Sequence, residues 1–200
     1  MKKLFFIIVA LFILGNSPLF ANEDYNYDDY DYSYDSYDTS YDTDSKTFPI
    51  QIALFNPIQI VNKNNSIYGL RLNFIYGVNK NVTGLDLGLI NKATGNVCAV
   101  QYGLINLVSG NFKGLQSGAV NIVDGDFTGL QGSILTNITK SSLTGVQASW
   151  GFNYAGKVKG LQISILGNYT KDLNGVQIGL FNINGNKKPL GFFPLINVSF

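Results

Sequence analysis

A segment of about fifteen residues recurs along most of this chain, and no other feature restricts its folding so strongly. The unit reads G-L/V-Q-x-G/S-L-x-N and is clearest at Gly175-Val176-Gln177-Ile178-Gly179-Leu180-Phe181-Asn182. Copies begin at Pro49, Gly69, Gly84, Ala99, Gly114, Gly129, Gly145, Gly160, Gly175 and Leu190. After a first gap of 20 residues, the spacing is 15 in seven of eight cases and 16 once. A fixed short period means that each copy is one structural unit, which buries its surface only against its neighbours.

Within a unit the pattern has period 2, the signature of a strand. Leu70, Leu72 and Phe74, then Leu85, Leu87 and Leu89, and later Val176, Ile178 and Leu180 form a large apolar row. The alternate positions, such as Gly114, Gln116 and Gly118 or Gly160, Gln162 and Ser164, are small or polar. Successive side chains of a strand point to opposite faces, so each strand has a greasy face and a tight hydrophilic one. Polar segments such as Asn62–Ser66, Val108–Phe112, Asp124–Asp126 and Asn184–Lys188 separate the units and supply turn residues.

Two architectures accommodate ten such strands. The first expectation is an all-β, up-and-down antiparallel barrel of the outer-membrane type, with the apolar row against lipid and the Gly/Gln row in the lumen. Phe200 ends the chain on an aromatic residue in the last unit, as the final strand of such barrels does. The alternative is a repeat β-solenoid or layered β-meander. It is favoured by the recurring eighth-position asparagines Asn56, Asn91, Asn106, Asn121, Asn182 and Asn197, because stacked amides hydrogen-bond along a ladder. Uniformly short connections favour it too, whereas fifteen residues is a small coil.

The rest of the chain points to export. Lys2 and Lys3, the apolar run Leu4–Leu14 and the break Asn16–Ala21 have the three parts of a secretory signal, with cleavage expected after Ala21. Residues 22–47 form a Tyr/Asp/Ser/Thr tract, expected to be disordered because it has no aliphatic residue to bury. Residues 48–200 are the repeat domain. From Glu23 to Asp44 there are nine acids and no base, whereas Phe48 to Phe200 holds eleven Lys/Arg against four Asp. Cys98 is the single cysteine, so no intramolecular disulfide forms, and a small buried side chain is expected there.

The chain has no histidine, which removes the commonest general base and metal ligand together. Asp124 and Asp126 share a turn but lack further ligands, and the glycine-rich units lack the helix that a phosphate loop requires. No catalytic, cofactor-binding or metal site is therefore expected, and an enzyme is not. The candidate polar-face or lumen residues are Arg71, Asp86, Gln101, Gln116, Gln131, Gln147, Gln162 and Gln177. Arg71 and Asp86 hold the third position of consecutive units, where adjacent strands bring them into an ion pair. The glutamines, with Gln51, are expected to bond to one another and plug the interior, a narrow aqueous path being the alternative. Lys63, Lys80, Lys92, Lys140, Lys157, Lys171, Lys187 and Lys188 gather at turns. The expected partners are membrane lipid and host or cell-surface components, not nucleic acid.

The units GLDLGLIN, GLQSGAVN and GVQIGLFN, with the closing GFFPLINVSF, resemble the GLQxGLxN surface-repeat proteins of spirochaetes. The resemblance spans Phe48 to Phe200 and departs from the pattern at Arg71, Asp86 and Trp150. Added to the two-faced strands, which lead to the expectation of an outer-membrane or cell-surface protein with a structural or interaction role, it implies an exported, surface-associated location. It implies no activity.

Overall fold

Units that repeat every fifteen residues with inward amides and outward leucines stack in parallel here, one coil upon the next. The computed structural model describes residues 45–187 and 191–200; the signal-like segment and the acidic tract up to residue 44 lie outside the described residues. The strands are β1 (Thr47–Phe55), β2 (Ile58–Gln59), β3 (Ser66–Asn79), β4 (Val82–Ala93) and β5 (Val97–Val108). They continue with β6 (Phe112–Val123), β7 (Phe127–Ser149), β8 (Phe152–Ser164), β9 (Gly167–Asn184) and β10 (Phe192–Ser199). They follow one another in a single ten-stranded sheet of order β10-β9-β8-β7-β6-β5-β4-β3-β1-β2.

All pairs from β1–β3 through β8–β9 are parallel, and between neighbouring coils the partner is the residue one repeat further on, as in Gln101↔Gln116 and Asn106↔Asn121. The fold is a β-solenoid of about nine turns. This corrects the barrel of antiparallel strands and matches the alternative architecture. The physical reason lies in the interior. A barrel would leave its amides facing a lumen, whereas stacked parallel coils bring each amide within hydrogen-bond reach of its copy above and below.

One coil, Phe112 to Asp126, shows how fifteen residues close. Phe112, Gln116, Asn121 and Val123 are buried, while Lys113, Leu115, Asp124 and Asp126 are exposed. The inward positions are thus four, five and two residues apart; Gly114 is exposed where alternation would turn it inward, and the gap of five is odd, so the alternation is interrupted twice before the turn at Asp124–Asp126. The first interruption is Gly114, at φ 131°. A Cβ there would strike the carbonyl oxygen of Ala99 in the coil below, so only glycine permits both this φ and this approach. The second interruption is a corner at which two consecutive side chains point outward, as Ile134 and Leu135, Ile165 and Leu166, and Leu180 and Phe181 do.

The interior has apolar and polar parts. Ile67, Val82, Val97, Phe112, Phe127, Leu143, Val158 and Leu173 form a buried column, one residue per coil. Phe112 and Phe127 stack with ring centroids 5.1 Å apart. Ala93, Val108, Val123 and Ala155 run beside that column. Each buried aliphatic or aromatic side chain contributes about 1.5–3 kcal/mol relative to exposure.

Both ends of the stack are covered by chain that breaks the parallel pattern. β10 runs antiparallel to β9, pairing Asn197 with Gln177, so the last unit is a cap and not a tenth coil in the same direction. At the other end the chain after β1 folds back through β2, antiparallel to β1, and buries Val61. Covering the ends limits the unpaired backbone that would otherwise template aggregation.

Candidate functional site

The residues singled out from the sequence converge on one column inside the solenoid. Gln101, Gln116, Gln131, Gln147, Gln162 and Gln177 are all at most 1 % exposed. Each Nε2 donates to the preceding coil: Gln116 to Gln101 at 2.7 Å, Gln131 to Gln116 at 2.7 Å and Gln147 to Gln131 at 2.7 Å. Gln162 and Gln177 continue the chain at 2.8 Å, and Asn197 of the cap donates to Gln177 Oε1, also at 2.8 Å. Most buried amides are hydrogen-bonded, and each of these pairs with its own repeat.

Asp86 ends this ladder. Its Oδ2 accepts from Gln101 at 2.6 Å, and its two oxygens accept Arg71 Nε and Nη2 at 2.7 Å each. Arg71 Nη1 donates to the Lys92 carbonyl at 2.8 Å, and both side chains of the pair are fully buried. A guanidinium only donates, so it cannot accept from an amide of the next coil. Gln51, aligned with Arg71 in the coil below, instead accepts from the Val61 backbone N–H at 2.7 Å, and its Nε2 has no partner. The Arg–Asp pair is therefore where the glutamine ladder stops.

A second amide ladder runs beside the first. Asn91, Asn106, Asn121, Asn137, Asn153, Asn168 and Asn182 are buried, and each Nδ2 before Asn182 donates to the next Oδ1 at 2.8 to 3.0 Å. The remaining hydrogen of each goes to a backbone carbonyl, as from Asn91 to Tyr102 and from Asn121 to Gly132. Asparagine donors point toward the C-terminal coil and glutamine donors toward the N-terminal one, so the aligned amide dipoles of the two ladders oppose each other.

The sequence pattern misplaced some rungs of this ladder. Asn56 is not in it, and Asn197 belongs to the glutamine column. The first rung comes from Asn73, whose Nδ2 reaches Asn91 Oδ1 at 2.7 Å. Asn73 fills the space of Gly77, the residue in register with Asn91, where a Cβ would overlap its Oδ1. Asn137, Asn153 and Asn168 sit one residue later in their units than the eighth position, and the extra residue at the corner hides them from a fixed-spacing search.

The outer surface divides into two flanks. On the turn flank a third ladder forms: the side-chain oxygens of Asn81, Asn96 and Asn111 each accept the backbone N–H fifteen residues on, at 2.8 Å. Asp126 takes the next place, accepting Ser141 Oγ at 2.7 Å and the Ser142 N–H at 3.0 Å. The Ser141 hydroxyl, then the Ser142 amide, hold its carboxyl below the usual carboxylate range. Asp124 instead pairs with Lys140 at 2.8 Å, so the two aspartates of this turn do not converge. Among the described residues no group of three metal-ligating side chains forms. Cys98 is exposed on this flank, not buried, because its strand position points outward between Val97 and Ala99.

The opposite flank is apolar. Val100, Leu115 and Leu130 are exposed along one side, and Phe74, Leu89, Leu104, Ile134, Trp150, Ile165 and Leu180 along the corner. Trp150 reaches 70 % and Ile134 58 % exposure. The apolar row read from the sequence is thus the outside of the solenoid, and the Gln row is its core. No lumen exists for the candidate residues to line; their side chains fill the space. Comparison with protein-family models, curated proteins and solved structures finds no match to this chain.

Proposed function

We propose that this chain is an exported, non-enzymatic repeat scaffold of an outer membrane or cell surface, related to the spirochaete surface-repeat proteins and acting through its outer flanks. The observation that carries this reading is the outward apolar flank. Soluble monomers rarely expose contiguous apolar patches of more than a few hundred Å². Here such side chains recur on successive coils. The interior supports a structural role, since its amides bond to one another and its one ion pair is closed off from solvent.

The signal-like start, Lys2 to Ala21, is the reason for placing the protein outside the cytoplasm. The test is expression of the full chain in a two-membrane bacterium, followed by N-terminal sequencing and protease treatment of intact cells. The expected mature protein begins at Asn22, fractionates with membrane and is cut from outside. An intact Met1 terminus in the cytosolic fraction would overturn the reading.

A second reading, a surface adhesin working through the turn flank, is favoured by one observation. A shallow groove of about 490 Å³ runs across four coils, lined by Asn96, Asn111, Lys113, Asp126 and Thr128 among others. It predicts that host-component binding is lost on substituting the exposed Lys113 and Thr128 while the apolar flank is left intact. The narrow-pore alternative loses its support with the barrel, because the amide ladders occupy the axis.

A further inference from the structure

The apolar flank is convex. In a flat strand consecutive side chains alternate between faces. At this corner they do not: Phe74 and Ile75, Ile134 and Leu135, Ile165 and Leu166, and Leu180 and Phe181 are outward-pointing neighbours. Stacked coils are spaced about 4.8 Å apart, so the ridge runs over eight coils for roughly 35 Å, large and apolar in seven of them and interrupted by Ala119 between Leu104 and Ile134. A rigid second copy would meet such a ridge along a line and leave most of it wet. A fluid surface wraps it.

Charge points the same way. Apart from the buried Arg71–Asp86 pair, the described residues hold ten lysines and three aspartates. Lys113 and Lys159 sit on the coil side next to the exposed leucine row, and Lys92 lies on the other side of the ridge. Basic residues flanking an apolar stripe are the pattern by which an interfacial element lies in a bilayer surface with anionic headgroups. The aromatic residues agree, since Trp150 and Tyr102 are exposed on or beside the ridge, and their amphipathic rings favour the headgroup boundary.

We infer that the ridge formed by Leu104, Ile134, Trp150, Ile165 and Leu180 seats in the outer hydrocarbon of an anionic bilayer, so that the solenoid lies along the membrane without crossing it. The inference rests on the surface reading above and names the partner of that flank. It differs from the expected barrel, which would span the bilayer.

Trp150 is the only tryptophan and stands on the ridge, so its emission reports seating directly, whatever the apolar run Leu4–Leu14 does. The full chain is titrated with vesicles of phosphatidylcholine alone and of equal parts phosphatidylcholine and phosphatidylglycerol. The expected result is a shift of Trp150 emission to shorter wavelength and quenching by lipids brominated near the headgroup, both stronger with the anionic lipid. The double variant Ile134→Asp, Ile165→Asp flanks Trp150 on the two adjacent coils and should lose the shift, whereas Ser109→Asp, in an exposed turn at the place Asp124 holds in the next coil, should keep it. Both variants change exposed side chains, and far-ultraviolet circular dichroism checks that each remains β. Unchanged Trp150 emission in a folded protein overturns the inference. So does short-wavelength emission without lipid, accompanied by a doubled sedimentation mass that the double variant halves, because the occupant is then a second copy. Cytosolic retention of the uncleaved chain would instead overturn the export reading, and the vesicle titration separates the two.

Discussion

Replacing Asp86 by asparagine changes one oxygen to nitrogen and leaves the volume almost unaltered, yet it should be among the most damaging single changes in this protein. Asp86 accepts three hydrogen bonds at 2.6 to 2.7 Å while fully buried, two from Arg71 and one from Gln101. An asparagine has one acceptor oxygen, so its amino group must face either Arg71 Nε or Arg71 Nη2 and the Gln101 amide together, donor against donor. Arg71 keeps its charge with 0 % of its side chain in water. Removing one partner of a buried ion pair costs about 3–5 kcal/mol. With a urea slope of about 2 kcal/mol per molar, the unfolding midpoint should fall by roughly 1.5–2.5 M.

The compensating change follows from the ladder. Arginine is longer than glutamine and aspartate shorter, so Arg71→Gln with Asp86→Gln restores two rungs of the common type between Gln51 and Gln101. Hydrophobic or neutral replacement of a whole buried pair is often neutral or stabilising, and the double variant should return to within about 1 kcal/mol of the parent. Urea titrations followed by circular dichroism measure both. A single variant that shifts the midpoint by less than about 0.5 M would refute this account of the pair. A double variant no better than the single one would refute the account of the ladder.

Three further changes test other parts of the stack. Phe127→Ala removes a fully buried ring stacked on Phe112 and should cost about 3–5 kcal/mol in the same titration. Gly129→Ala places a Cβ against the Gly114 carbonyl oxygen at φ 132° and should lower stability by more than about 1 kcal/mol; a neutral result would mean that this corner relaxes freely. Asp126 has a depressed carboxyl pKa, so its contribution is present above the unfolded-state value and disappears as pH falls through the folded one. Thermal melts of Asp126→Ala and the parent should therefore differ at neutral pH, by a small amount because the group is exposed, and converge in strong acid.

Much of the molecule was legible in the sequence because a repeat states its own contacts. The period marked the coils, the alternation marked the two faces, and the third-position run of Gln with Arg71 and Asp86 marked a polar column. The ladder of eighth-position asparagines was visible as a reason for stacking. It was blurred at the two end units, whose Asn56 and Asn197 lie outside the ladder, and where Asn73 substitutes across the coil for Gly77 or an extra corner residue displaces Asn137, Asn153 and Asn168. Those shifts are invisible to a fixed spacing because they conserve the position of an amide in space and not in the chain.

What the linear pattern could not decide was which face is the inside. Alternation of large apolar and Gly/Gln residues is equally consistent with a barrel in lipid and a solenoid in water, since both hide one face and expose the other. Only the parallel stacking resolves it, because amides in register one coil apart satisfy one another, and small residues let the backbones close around them. The same stacking turns the leucine row outward and bends it into a ridge. It also makes Phe192 to Ser199, within what reads as one more repeat, run backward as a cap, because an end coil needs partners that a further copy would leave unpaired again. The repeat sequence alone thus determined a stack of two-faced strands; the tertiary structure decided that its polar face is the core.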